Sequence, residues 1–373
     1  MRILYISLLD WYFTKQRPQH IAELLSEKNE VKYICRSSWR TKHIKKHDEN
    51  EHIYNDFNIS ESLHIERMRY LPFNKYSTIS FINEFFYKLA IEKTIIKYQP
   101  DILWLTHPEH YDLIPQNFKG KIIYDCMDNY SQFTRDDKKR AEINALEKKL
   151  VNKSNLVLTS SNGLEKKISG ITTTTQVVTI KNAADFTYFN TYYSSTELKK
   201  RPVELKEGRR IVGYFGGISS WFDIDLLVFI AENHKECDFV IIGPLSNENV
   251  VAKASKIENI LFLGPKIYNE LAAYLYYFDV CIMPFLVNDL IKDVNPIKLY
   301  EYLSMGKPVI VPQYDEILEF VEYVYFARNQ EDFSRKLGEA LAENSTELIK
   351  KRIEFAKTNT WNYRVDEINK LIN

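Results

Sequence analysis

The sequence predicts an α/β protein of two doubly wound domains, each a parallel β-sheet covered by helices on both faces. Three observations lead there. The chain has 373 residues, more than one ordinary core accommodates and suited to two domains of roughly 150–200 residues. Short apolar runs alternate with amphipathic stretches from end to end, the order that builds parallel sheets through helical crossovers. Those runs are continuous rather than alternating, as in strands buried on both faces.

In the first half, strands are expected at 3–7, 31–35, 102–105, 122–125, 156–159 and 177–180, with helices at about 18–28, 78–98 and 137–152. In IAELLSEK, Ile21, Leu24 and Leu25 have helical spacing. The second half gives strands at 210–215, 239–242, 260–263, 280–284 and 308–311, and helices at about 223–233, 268–277, 296–305, 331–342 and 348–357. Between the halves, 185–208 is polar and poor in aliphatic residues, which places the domain boundary there. The expected domains are 1–190 and 205–358, followed by a terminal amphipathic helix in 359–373.

Lys and Arg number 50 and Asp and Glu 50, so formal net charge is zero. Residues 1–190 hold 28 basic and 23 acidic residues, a surplus of five, and the remainder holds the opposite imbalance. That asymmetry is too mild for a nucleic-acid binder. It suits a first half that meets an anionic membrane or acceptor. Cys35, Cys126, Cys237 and Cys281 stand singly beside apolar runs, which reads as buried, reduced thiols in a cytoplasmic protein. The opening MRILYISLLDW is too short an apolar stretch for a signal peptide, and nothing approaches the ~18–20 apolar residues of a membrane span. The expected location is cytoplasmic, at most peripheral to the inner face of the membrane. The long helix at 75–97 is rich in Phe, Tyr and Ile with scattered lysines; it either packs on the first sheet or presents a face to anionic lipid.

Four segments carry candidate chemistry. In CIMPFLVNDLIKDVNPIKLYEYLSMGKPVIV (281–311), a strand leads through a polar loop to Asn295-Pro296, a favoured cap and first helical residue. A helix start at a strand's carboxyl end suits an anion. Lys298 can add positive charge against a diphosphate, Glu301 can accept two hydrogen bonds from a ribose diol, and Asp293 is a second carboxylate just before the cap. The same residues also fit an ordinary helix start with a solvated lysine and a surface ion pair. In RIVGYFGGISSWFDID (210–225), Gly216 and Gly217 at a strand–helix turn permit close backbone approach to a ligand, or simply a tight turn. In LLDWYFTKQRPQHIAELL (8–25), a polar-aromatic loop leads to Arg17 and His20 at the start of the first helix. In KIIYDCMDNYSQF (121–133), Asp125 and Asp128 end a strand, where a carboxylate can act as a base or bind sugar hydroxyls; they also suit a capped turn. The parallel loop WLTHPEHYD offers His107, Glu109 and His110.

The 281–311 segment resembles the donor-binding motif of GT-B-fold glycosyltransferases, especially glycosyltransferase family 4, with two glutamates separated by seven residues and a helix ending in Gly-Lys-Pro-Val. YEYLSMGKPVI (300–310) matches its second half. The resemblance implies that Glu301 contacts the nucleotide ribose and that Asp293 stands where the first glutamate would, one carbon shorter. Residues 210–225 resemble the first loop of the family's C-terminal domain, yet Trp221 and Asp223 stand near where an Arg and a Lys are usual, leaving Lys298 as the charge for the diphosphate. Gln-Arg-Pro-Gln-His resembles a feature of bacterial polysaccharide transferases, including those of teichuronic acid synthesis. GPKIYNELAAYLYYFDVCIMPF (264–285) is similar to the strand–helix–strand at the base-binding edge, and TWNYRVDEI to a terminal helix that returns to the N-terminal domain.

The resemblance implies two Rossmann-like domains facing across a cleft, the GT-B fold. It implies a hexosyltransferase-type enzyme that uses a nucleotide-sugar, UDP-linked by family frequency, as substrate rather than cofactor and needs no metal. Gly216, Gly217, Asp293, Asn295, Pro296, Lys298 and Glu301 would hold the donor. Asp128 and Lys298 would be catalytic, and Arg17, His20 and His107 would face the acceptor or cleft. The acceptor would be a glycan or lipid-linked hydroxyl. Two other readings stay open, a GT-B-fold sugar-nucleotide epimerase and a non-catalytic nucleotide-sugar-binding scaffold.

Overall fold

The computed structural model describes residues 1–37, 55–72, 76–246, 252–254 and 256–373. The chain divides into two units, Met1–Lys181 with Val365–Asn373, and Asn182–Arg364.

Unit 1 is built on an eight-stranded sheet in the order β3-β4-β2-β1-β5-β6-β7-β8. Its strands are β1 (Arg2–Ser7), β2 (Glu30–Ser37), β3 (Asp56–Ser60), β4 (Leu63–Arg69), β5 (Ile102–Leu105), β6 (Lys121–Cys126), β7 (Leu156–Thr159) and β8 (Gln176–Thr179). All pairings are parallel except β3 with β4. The continuous apolar runs lie in the middle of the sheet, with Ile3, Leu4, Tyr5 and Ile6 fully buried. Register puts Tyr5 opposite both Tyr33 and Trp104, and the three rings stack at 5.3 Å across β2, β1 and β5. The β3–β4 hairpin was not expected. It lies at the sheet edge, where DFNIS is largely exposed and LHIERMR alternates, so neither has the continuous apolar signature used to find the others.

Unit 2 carries a fully parallel six-stranded sheet in the order β11-β10-β9-β12-β13-β14. Its strands are β9 (Arg210–Phe215), β10 (Cys237–Ile242), β11 (Ile260–Gly264), β12 (Val280–Ile282), β13 (Val309–Pro312) and β14 (Tyr325–Ala327). The polar stretch expected as a linker contains a helix, Phe186–Ser194, that belongs to this unit. Phe189 is fully buried against Phe215 and Tyr268. Its apolar positions are aromatic rather than aliphatic, which is why the segment reads as polar.

In the terminal helix Trp361–Ile372, residues from Val365 on belong to unit 1, where Lys121 Nζ donates to the Ile372 carbonyl at 2.7 Å. All four cysteines are buried and unpaired, and burial pushes the Cys35 thiol up to about 12. Among the described residues, no helix is long and apolar enough to cross a membrane.

Candidate active site

Unit 2 brings the glycine loop and the Lys298–Glu301 motif together at the carboxyl ends of its central strands. Strand β9 runs into Gly216 and β10 into Gly243. Gly216 N–H donates to the Ile242 carbonyl at 2.9 Å, and a Cβ on Gly243 would lie 1.8 Å from the Gly216 carbonyl oxygen. That backbone crossing requires glycine at 243. A Cβ on Gly216 would lie 3.5 Å from Lys298 Cε, so the lysine stem crosses the glycine loop. The Gly217 carbonyl accepts from the Tyr214 hydroxyl at 3.0 Å and from Trp221 Nε1–H at 3.1 Å, fixing the turn. Asp223 caps the following helix through Leu226 N–H at 2.9 Å.

The expectation that Asn295 caps the next helix is corrected. That helix is Ile297–Leu303, with Pro296 at its cap position. The Asn295 side-chain oxygen accepts from Asn182 N–H at 3.0 Å and from the Tyr300 hydroxyl at 3.2 Å, while its backbone carbonyl accepts from Asn182 Nδ2 at 2.6 Å. Its side-chain oxygen and backbone carbonyl are therefore committed to a distant segment, while its buried Nδ2 has no hydrogen-bond partner. The helix has only seven residues, so its dipole is small and positive charge on this edge falls to Lys298. Asp293 is half-buried at the end of a single 3₁₀ turn, Ile291–Asp293. Gly306, at φ +67°, ends the helix, with Lys307 N–H returning to the Tyr302 carbonyl.

Glu301 is 2% exposed, and its Oε2 has no hydrogen-bond partner. Burial raises its pKa to about 7, Asp185 adds to the rise, and Lys298 and Tyr268 oppose it. Tyr268 and Asp185 were not anticipated. Each looks like an ordinary helix-start residue in sequence, and only the fold sets them beside Glu301. A cavity of about 650 Å³ in the same unit, lined by Arg209, Arg210, Tyr276 and Lys307, lies at the amino ends of the strands, away from this cluster.

In unit 1, the carboxyl ends of β5 and β6 gather a second cluster. Burial pushes the Asp128 carboxyl up to about 7, against the lowering influence of Arg17. Tyr130, on the next turn, donates its hydroxyl to the Thr106 carbonyl at 2.6 Å and packs edge-on against His107 at 4.5 Å between centroids. His107 Nδ1 accepts from Glu109 N–H at 3.3 Å, and burial lowers its pKa to about 4, so the ring is neutral at pH 7. The Asp128 loop is held from behind. Lys167 bridges Asn129 Oδ1 at 2.8 Å and the buried Glu147 at 2.7 Å, and Glu147 accepts from the Tyr124 hydroxyl at 3.0 Å.

Arg17 is 2% exposed, paired with Asp125, and donates to the Ile180 carbonyl at 2.6 Å. His20 is buried on the same helix. Both therefore stand behind the surface rather than on it. Glu109 is ion-paired with Lys139 at 2.7 Å. Among the described residues, no group of three or more His, Cys, Asp or Glu side chains has a metal-holding arrangement.

Comparison with known proteins agrees with the two α/β units. Residues 209–343 match the model of the family described as glycosyl transferases group 1. The protein TuaH of Bacillus subtilis (strain 168), assigned as a teichuronic acid biosynthesis glycosyltransferase, is 25% identical over 280 residues, covering 70% of this chain and 68% of TuaH. Sucrose-phosphate synthase from Thermosynechococcus elongatus superposes with a TM-score of 0.75 at 14% identity, covering 99% of this chain and 98% of its own. Anabaena Alr3699/HepE, solved with UDP and glucose, superposes at 0.68 and 11% identity over 99% of this chain and 98% of its own. The chain is thus a glycosyltransferase of the GT-B fold, and its residues 209–343 are similar to the glycosyl transferases group 1 family.

Proposed function

We propose that the chain moves a sugar from a UDP-sugar, bound by unit 2, to a hydroxyl of a cell-surface polysaccharide or glycolipid on the cytoplasmic side of the membrane. The observation that carries the donor assignment is Glu301. A buried carboxylate with an unpartnered oxygen is costly unless a ligand completes its hydrogen bonds, and a ribose diol supplies two. Lys298, beside the glycine loop, meets the diphosphate. Its attraction grows as negative charge develops on the leaving group, so it stabilises the transition state more than the ground state. Asp128 takes the proton of the acceptor hydroxyl as that oxygen bonds to the anomeric carbon and the bond to UDP breaks. A carboxyl near pKa 7 is matched to that task at neutral pH. Gly216 and Gly217 give the donor close backbone approach, and Asn295 and Pro296 set the helix that presents Lys298. Asp293 reaches toward the sugar.

UDP is supported by the HepE structure, which holds UDP and glucose, and the acceptor class by TuaH, which is assigned to teichuronic acid synthesis. No metal or organic cofactor has a part in this scheme, so a chelator leaves turnover unchanged. A thermal-shift screen against UDP-, GDP-, dTDP- and CMP-sugars tests the donor, since a ligand of the native state raises stability by RT ln(1 + [L]/Kd). A larger shift with another nucleotide overturns UDP. Slow release of free sugar supports a transferase. An isomeric nucleotide-sugar would mark an epimerase, and no turnover a binding scaffold.

A further inference from the structure

We infer that the outward face of the helix Ser77–Tyr98 in unit 1 is a docking surface for an anionic lipid bilayer. The helix is apolar on two opposite sides. One side is core, with Tyr87, Ile91 and Ile95 packed against the sheet. At 100° per residue, Ile82, Phe85, Phe86, Leu89 and Ile96 fall on the opposite side, flanked by Phe81. Phe81 is 72% exposed, Phe85 52%, Phe86 63% and Ile96 75%. A second apolar face on a helix is ordinarily covered, so these rings are displayed against a standing solvation cost. Phe85 and Phe86 pack edge-on, 5.7 Å between centroids, which keeps them together as one wedge. Leu71, also exposed, is tied beside the helix by the Asn83 side chain, which bonds both its N–H (2.8 Å) and its carbonyl (3.1 Å).

Charge selects the occupant. The helix exposes Lys88, Lys93 and Lys97 around this face. Of its two acids, Glu84 is neutralised by a bidentate pair with Arg36 at 2.6 and 2.7 Å, leaving Glu92 against three lysines. Aromatic rings ringed by ammonium groups match the interface of an anionic membrane, where rings insert at the headgroup boundary and lysines meet lipid phosphates. The surface uses none of the donor chemistry and stands or falls apart from it.

The test uses the full chain with vesicles of phosphatidylcholine alone and of phosphatidylcholine with phosphatidylglycerol, at low and high salt. Wild-type protein is expected to sediment with the anionic vesicles and to be partly released by salt. Phe81→Ser/Phe85→Ser/Phe86→Ser should abolish binding, because the anchoring rings are gone. Lys93→Gln/Lys97→Gln should weaken it about fivefold per lysine and flatten the salt dependence. Both variants should keep the wild-type circular dichroism spectrum and a single cooperative unfolding transition, which separates loss of the surface from loss of the fold. Absence of wild-type binding to anionic vesicles, or wild-type binding in the triple variant, overturns the inference. So does a wild-type dimer in sedimentation velocity that the triple variant converts to monomer, for then the occupant is a second copy.

Discussion

Arg17 and Asp125, 108 positions apart, form a buried ion pair in which Arg17 Nε lies 3.0 and 3.1 Å from the two carboxylate oxygens and Nη2 lies 2.9 Å from Oδ1. The pair joins the start of the first helix to the end of β6, three residues before Asp128. Removing one partner strands the other's charge in the interior. Arg17→Met should therefore cost about 3–5 kcal/mol of stability, and Asp125→Asn in the same chain should recover part of that loss. Urea unfolding of the two single variants and the double variant measures this. A single variant within about 1 kcal/mol of wild type would mean that the pair is not a structural tie.

The Glu301 carboxyl makes donor binding depend on pH. Its pKa is about 7 in the free protein, and a ribose diol donates to both carboxyl oxygens only when the group is ionised. Binding should therefore release a proton near neutral pH, and affinity for UDP-glucose should fall roughly tenfold from pH 8 to pH 6. UDP-glucose is the right probe because its diphosphate does not titrate in that range. Calorimetry in buffers of different ionisation enthalpy reads the proton directly. Glu301→Gln should weaken binding by roughly 1–3 kcal/mol and abolish the pH dependence. Unchanged affinity would remove the ribose assignment.

The same group makes the unliganded fold less stable at higher pH. A carboxyl whose folded pKa is raised from 4.5 to about 7 binds more protons folded than unfolded between those values. Stability contributed by its neutral form is present below about pH 4.5 and lost as pH rises through about 7. Glu301→Gln cannot ionise, so it should be more stable than wild type at pH 8, by on the order of 1–3 kcal/mol, and nearly equal to it at pH 5. A parallel pair of stability-versus-pH curves would show that Glu301 does not titrate there.

Lys298 should act on the diphosphate and not on the nucleoside. Lys298→Ala should lower UDP affinity strongly and uridine affinity hardly at all, because only UDP carries the charge that the lysine meets. Equal losses for both ligands would indicate damage to the helix Ile297–Leu303.

The central strands and the placement of Lys298 and Glu301 on one helix after them were readable in sequence for simple reasons. Strands buried on both faces are continuous apolar runs, and Lys298 and Glu301 lie within one local motif whose spacing is visible. What stayed hidden is long-range. Asn295 reads as a cap because asparagine before proline usually is one; that its amide turns instead to Asn182 is a tertiary fact. Arg17 reads as a surface charge at a helix start, and nothing local reveals that Asp125 lies opposite it. The helix Phe186–Ser194 escaped because tyrosine and phenylalanine carry its apolar face without the aliphatic pattern.

Asp128 provides the sharpest test of chemistry. Burial raises its pKa to about 7, and the Arg17 charge, engaged with Asp125, lowers it only in part. A general base works in its ionised form, so kcat/KM for the acceptor should drop about tenfold per pH unit below 7 and level off above it. Asp128→Asn keeps the size but cannot take a proton. It should lose about 10²–10⁴ in kcat and erase the acidic limb of the profile. UDP affinity should change little, because the proton that Asp128 takes belongs to the acceptor hydroxyl and not to UDP. Stereochemistry gives an independent reading. Direct attack by a base-activated hydroxyl on the donor's anomeric carbon inverts configuration, whereas the resemblance to glycosyltransferase family 4 implies retention, so an NMR spectrum of the first product decides between them: the anomer opposite to the donor's supports Asp128 as the base. A retained anomer, or an Asp128→Asn enzyme with wild-type turnover, would remove Asp128 as the base and leave its loop as an acceptor-binding surface.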